Sequence, residues 1–167
     1  MSAVQMSKSA VYSGTMYFSY SQFFVFDKSV KLPGCEWTDG HFKQSFARRE
    51  QNVCFGTLLE FGHAEFVVHL GRYVESSDYA RVIQVPFEVT TGEVSIGGPD
   101  EYPNEHSVPI PNGHYTLVAA QAVTDDEHEN IALFFERHSE QSKESRIIVA
   151  DDALEPPHPL LETVDVA

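Results

Sequence analysis

Eight histidines, two cysteines and three adjacent carboxylate pairs are the residues of this chain with the means to do chemistry. Neutral imidazole is the commonest protein ligand for a metal. The histidine spacings, however, supply neither the i, i+4 pair of a helical site nor the His-x-His pair of a strand site. His63, Glu65 and His69 share one face of an alternating run, but His63 and His69 stand about 20 Å apart along an extended chain and cannot hold one ion together. A site there needs further ligands from a neighbouring strand, with His114 and His138 as the candidates. The expected reading is no metal and no cofactor. Cys35 and Cys54 have no second pair to complete a zinc motif and no histidine-bearing nucleophile signature, so they read as ordinary thiols of a reducing compartment, one of them buried as a small apolar group. Asp100/Glu101, Asp125/Asp126 and Asp151/Asp152 fall in loop-like stretches, where neighbouring carboxylates are solvated charges; acid/base work needs burial and a cleft. With no Gly-x-Ser-x-Gly elbow, Walker loop or dinucleotide fingerprint, the chain is expected not to be an enzyme.

Charge is more informative. The 167 residues carry 25 acids and 11 bases, a formal net charge of -14. Residues 75 to 129 hold eleven acids and one base, Arg81, and residues 151 to 167 hold five acids and no base. Such a field repels nucleic acid and anionic lipid and steers a basic protein toward the chain. Direct nucleic-acid binding is therefore disfavoured. Membrane insertion is disfavoured too, because apolar runs such as FFVF and TLVAAQAV fall well short of the roughly 20 residues that cross a bilayer. The first residues lack the charged-then-apolar layout of a secretory signal, which makes the cytoplasm the expected location.

The elements that must position these residues are strands. An apolar content of 42% supports one packed core. MYFSYSQFFVF from Met16 predicts one half-buried strand, with Met16, Phe18, Tyr20, Phe24 and Phe26 on one face and Gln22 intruding on it. Gln22 is expected to be a satisfied core amide bracing the adjacent loop. Residues 53–61 and 64–70 predict a hairpin, Tyr79 to Val89 with Val94 and Ile96 a second, and the PNG turn at 111–113 joins two more adjacent strands. Pro86 lacks an N–H, so its strand is expected to lie at an edge or to break there. One helix is expected over 38–49, capped by Thr38, with Phe42 and Phe46 on one side, Trp37 stapled onto Phe42, and Arg48 and Arg49 late. The expected fold class is all-β, an antiparallel β-sandwich of about eight or nine strands with one short helix. Residues 1–14 are expected to be a flexible N-terminus, 15–150 the sandwich domain, and 151–167 an acidic, proline-containing tail, extended or disordered.

FSYSQFFVF at 18–26, followed by EWTD at 36–39, resembles the N-terminal signature of the competence protein J family. The matching positions are Ser19, Tyr20, Gln22, Phe23, Val25 and Phe26, then Trp37, Thr38 and Asp39, and on the residue reading they are structural. VPFEV at 85–89 and PNGHYTL at 111–117 resemble the later half of the family, so the likeness spans residues 17 to 124. The resemblance implies a small non-catalytic inhibitor that binds the DNA-entry nuclease and blocks its use of DNA. It carries over no active-site residue.

A nuclease presents a basic groove to phosphate, and an inhibitor fills it by placing carboxylates where phosphates would lie. The loops at 99–105 and 125–129 are the candidates: Asp125, Asp126, Glu127 and Glu129 projecting into the cleft of the nuclease, with Asp100, Glu101 and Glu105 as an outer rim. The expected partner is a basic protein, a nuclease. The rival reading is a ligand-binding sandwich module for a sugar, lipid or ion, with Tyr73, Tyr79 and Tyr102 as its contacts.

Overall fold

The computed structural model describes residues 10–99, 106–140 and 144–163. Their sequence folds into eleven strands and one short helix. β1 (Ala10–Phe18), β5 (Gly62–Leu70), β6 (Arg81–Val89), β9 (Gly113–Asp125), β10 (His128–His138) and β11 (Arg146–Val149) form a six-stranded sheet in the order β1-β5-β10-β9-β6-β11. β2 (Gln22–Asp27), β3 (Phe46–Arg49), β4 (Asn52–Gly56), β7 (Glu93–Gly97) and β8 (His106–Pro109) form the facing sheet in the order β3-β4-β2-β7-β8. Every pairing is antiparallel except β5 with β10. The inward faces of both sheets meet in one core that includes Phe18, Phe23, Phe55, Phe66, Leu117 and Phe135. This is the expected all-β sandwich, with more strands than the apolar runs suggest.

The run from Met16 to Phe26 is two strands in different sheets. Tyr20 and Ser21 both adopt left-handed backbone, φ 56° in each, and this turns the chain from one sheet to the other. β2 is then buried on both faces: Phe23 and Val25 enter the main core, while Phe24 and Phe26 pack outside it with Cys35, Ala47 and Cys54. Three expected hairpins are likewise corners. β4 and β5, β6 and β7, and β8 and β9 lie in opposite sheets. A strand that pairs with its successor and one that crosses to the other layer show the same alternation, so the pattern could not separate them. Pro86 does sit at an open edge, since β11 covers β6 only at residues 82 to 84.

The helix α1 (Asp39–Gln44) is half the expected length. Ser45 takes left-handed backbone (φ 64°) and ends it, so Phe46, Arg48 and Arg49 belong to β3. Thr38 is the N-cap, its amide donating to His41 Nδ1 at 3.0 Å. Trp37 stacks on Phe42 with ring centroids 5.2 Å apart, as the staple requires. Residues 10–14, expected in the flexible terminus, are strand, running opposite His69 to Phe66 of β5. Residues 151–163 of the tail turn at 152–153 and bend at 158–159, and they are fastened to α1 and the edge of β3. Gln44 and Leu161 exchange two hydrogen bonds of 2.9 and 3.0 Å, Arg48 pairs with Glu162 at 3.2 Å, and Arg48 bridges Thr163 in parallel.

Candidate partner-binding end of the sandwich

The two ends of the sandwich differ in chemistry. At one of them, Asp27 at the end of β2 is fully buried and accepts six hydrogen bonds from the amides and hydroxyls of Ser29, Thr90 and Thr91. Burial pushes its carboxyl up, but the donors outweigh burial and hold it below the ordinary carboxylate value. This network seals the β2 side of the end and leaves a smaller cavity of about 280 Å³, lined by Leu70, Pro111, Tyr115 and Arg137, at its β9–β10 side.

The other end is open. Register gathers there the start of β5 opposite the end of β1, the β9–β10 turn, and Arg81 of β6 opposite Gln121 of β9. In the facing sheet Gln22 stands opposite Gly56, and Phe46 opposite Phe55. Gln121 Nε2 donates to Gly56 O at 2.9 Å, joining the two layers. Between them lies a cleft of about 380 Å³, walled by Tyr20, Trp37, Phe42 and Leu154, with Arg81 and Ser45 at its base. Tyr20 is 77% exposed and Phe42 66%. The three non-glycine residues with left-handed backbone among the described residues, Tyr20, Ser21 and Ser45, all line this cleft.

Arg81 fixes the base. Its Nε and Nη2 hold Asp151 at 2.7 and 3.0 Å, and Nη1 donates to Ser45 Oγ at 2.6 Å and toward Gly56 O at 3.4 Å. Asp151 pulls its loop against the cleft, where Leu154 is buried. Burial raises the Asp151 carboxyl, but the bonds and charge of Arg81 outweigh it and leave it below the usual range. A Cβ at Gly56 would run into Ser45 Oγ, so a larger residue there must displace the hydroxyl that Arg81 holds.

The β9–β10 turn carries the expected acidic residues, and the structure sorts them. Asp126 and Glu127 are exposed at its tip. Asp125 is exposed as well, but its Oδ1 accepts the Glu127 amide at 2.8 Å and His128 Nδ1 at 2.7 Å, so it also shapes the turn. The Glu127 amide first, then His128, hold the Asp125 carboxyl low, and Asp125 in turn raises the His128 imidazole. Glu129 does not project. It is the second residue of β10, 1% exposed, and its Oε2 accepts the Leu59 amide at 2.7 Å. Burial pushes its carboxyl up despite the amides of Leu59 and Leu58 and the nearby Arg81. The turn closes one residue earlier than the run of charges suggests, and β alternation then points Glu129 inward. Asp100, Glu101 and Glu105 lie outside the described residues.

The signature positions separate by role. Ser19 begins the β1–β2 turn, Phe23 is core, Thr38 caps α1 and Asp39 is its exposed first residue. Tyr20, Gln22 and Trp37 line the cleft. Gln22 is only half-buried, and among the described residues its side-chain amide has no partner, so it is not the satisfied core amide expected. Arg81, Ser21 and Thr57 were not legible as site residues. Arg81 left one clue, as the lone base in an acidic stretch. Of the rival tyrosines, Tyr73 and Tyr79 lie 6.3 Å apart and pack over the outer face of the six-stranded sheet, Tyr73 against Phe134 at 5.6 Å. Tyr102 lies outside the described residues.

Fold and site define a β-sandwich protein with one end sealed at Asp27 and the other end open and carboxylate-rich. The chain belongs to the competence protein J (ComJ) family, whose family model matches residues 15–152. Two solved structures share the fold. One is the Bacillus subtilis protein described as ComJ, inhibitor of the DNA degrading activity of NucA, at 21% identity and a TM-score of 0.68, covering 77% of this chain and 97% of that one. The other is described as crocagin biosynthetic gene J, at 14% identity and a TM-score of 0.50, covering 77% of this chain and 98% of that one. No curated protein matches the sequence. Among the described residues no helix is long and apolar enough to cross a membrane.

Proposed function

We propose that this chain is a non-catalytic inhibitor that binds a basic, DNA-degrading nuclease through the open end of its sandwich. The observation that carries the reading is the charge of that end, seen on a member of this family. The segments that form it, residues 19–22, 39–45, 56–62, 78–81, 125–128 and 150–155, hold nine acids against Lys43 and Arg81. The segments of the sealed end, residues 27–31, 49–52, 70–72, 88–93, 109–114 and 136–138, hold five acids against five bases. Carboxylates concentrated beside a cleft suit a surface built to receive phosphate, and they steer association. Asp125, Asp126 and Glu127 form the projecting part of this surface, while Glu129 supports it from within. The related Bacillus subtilis protein, described as an inhibitor of NucA, supports the assignment of the partner class. We place the protein in the cytoplasm, where Cys35 and Cys54, both buried and unpaired, stay reduced.

Titration into a digest of duplex DNA by the DNA-entry nuclease of the host tests the reading. The expected result is loss of cleavage to a stoichiometric endpoint, with an association rate that falls at least about tenfold from low to physiological salt. Cleavage that persists at large excess of the chain would refute it.

A further inference from the structure

We propose that the cleft between the β1–β2 turn and α1 is a receptor for an arginine side chain of the partner. The assignment takes its partner from the inhibitor reading and adds the chemistry by which the open end grips it.

Three observations converge on the cleft. The first is its aromatic wall. Trp37 and Phe42 stack at 5.2 Å with an interplanar angle of 29°, each covering one face of the other, and Tyr20, which also lines the cleft, is 77% exposed. Large apolar side chains held in the open need a reason, and backbone strain at the lip makes it more pressing. Left-handed backbone at Tyr20 and Ser21 is strained for residues that carry a Cβ, and such strain gathers at binding sites. The second is unused hydrogen-bonding capacity. Among the described residues the indole N–H of Trp37, the hydroxyls of Tyr20 and Ser21 and the amide of Gln22 have no partner. The Gln22 carbonyl and the two hydroxyls are acceptors of the kind a guanidinium uses.

The third is charge. Arg81 at the base brings no free cation, because Asp151 holds it through two bonds and its side chain is 5% exposed. The exposed side chains on the segments that frame the cleft are mostly acidic. Glu60 sits where its carbonyl receives the Ser21 amide at 2.9 Å, Glu155 where its amide reaches Lys43 O at 3.0 Å, and Glu36 and Asp39 flank Trp37 and Thr38. Lys43 is the one exposed cation of those segments. An aromatic wall under a negative potential selects a cation that can stack, and planar, weakly hydrated guanidinium does so better than ammonium.

Trp37 is the only tryptophan, so its emission reports the cleft directly. The experiment titrates the full chain with N-acetyl-arginine amide, and in parallel with the lysine, norleucine and glutamate analogues. The expected result is a saturable emission change with the arginine probe in the millimolar range, at least about fivefold weaker with norleucine, and weakened about tenfold by Phe42→Ala, an exposed site whose truncation leaves the core intact. Tyr20→Gly, which relieves the left-handed strain, should fold at least as well and still bind the probe more weakly. Equal binding of norleucine would make the cleft an apolar anchor site, preference for glutamate would make Arg81 the receptor, and no saturable change would leave no receptor; each overturns the proposal. Nuclease inhibition separates the two readings. If Phe42→Ala inhibits as well as wild type, the arginine receptor falls and the inhibitor stands. If wild type binds the arginine probe but spares the nuclease, the inhibitor reading falls.

Discussion

Replacing Asp126 and Glu127 together by lysine is expected to slow association with the nuclease at least about tenfold at low salt, with little change in folded stability. Both side chains are exposed at the tip of the β9–β10 turn. The turn itself is held by Asp125, which receives the Glu127 amide and His128, and by the His63 amide donating to Glu127 O at 2.8 Å. Those contacts survive the substitution, so the variant changes the field and leaves the scaffold. Asp125 is kept for that reason. The proper control is Glu50→Lys with Glu93→Lys, which changes net charge equally at the sealed end, where both residues are exposed. If steering acts through the open end, the control slows association far less, and raising salt erases most of the difference between the two variants. Stopped-flow association rates across a salt series read this out. Equal slowing by both variants would mean that net charge acts without a localised surface.

Arg81→Met is expected to cost about 3 kcal/mol of stability and to lower the thermal midpoint by roughly 6–12 °C. The substitution keeps apolar bulk but removes a buried guanidinium that satisfies Asp151, Ser45 and Gly56 at once. It also leaves the buried Glu129 carboxyl without its nearby cation. Arg72→Met is the comparison, because Arg72 pairs with Glu136 at 3.3 Å while 85% exposed and should contribute less than about 1 kcal/mol. The pH dependence follows from Asp151. Its folded carboxyl lies below the ordinary 3.8, so the ion pair contributes stability above that pH and loses it as pH falls through the folded value. The gap between wild type and Arg81→Met should therefore be widest near neutrality and close in acid. Thermal or denaturant unfolding across pH measures it, and a variant no less stable than Arg72→Met would contradict the account.

What the sequence revealed, and what it hid, follows from the range of the interactions. Strand content was legible because alternation is local: Ala64, Phe66 and Val68 face the core along β5 as their spacing requires. Thr38 and the Trp37–Phe42 contact were legible for the same reason, since a cap and a staple act within one helical turn. The layer to which each strand belongs was not. Two consecutive left-handed residues at Tyr20 and Ser21 turn the chain between sheets with no Gly, Pro, Asn or Asp to announce it. Ser45 hides the end of α1 in the same way. Charge showed where the acids lie along the chain but not which are exposed. Glu129 is one step past the turn and therefore inside, and Asp151 spends its charge on Arg81, a residue 70 positions away. The cleft was the least legible feature, because Tyr20, Phe42, Arg81 and Leu154 meet only when both sheets and the tail are in place.

The most direct test of the open end as the docking surface is amide hydrogen exchange on the chain free and bound to its nuclease. Slowed exchange is expected at the β1–β2 turn, in α1, over residues 57–61 and at Asp126 and Glu127, with the sealed end around Glu50, Gln51 and Thr90 to Gly92 unchanged. Protection confined to the sealed end, or none at the open end of a complex shown to form, would contradict the account.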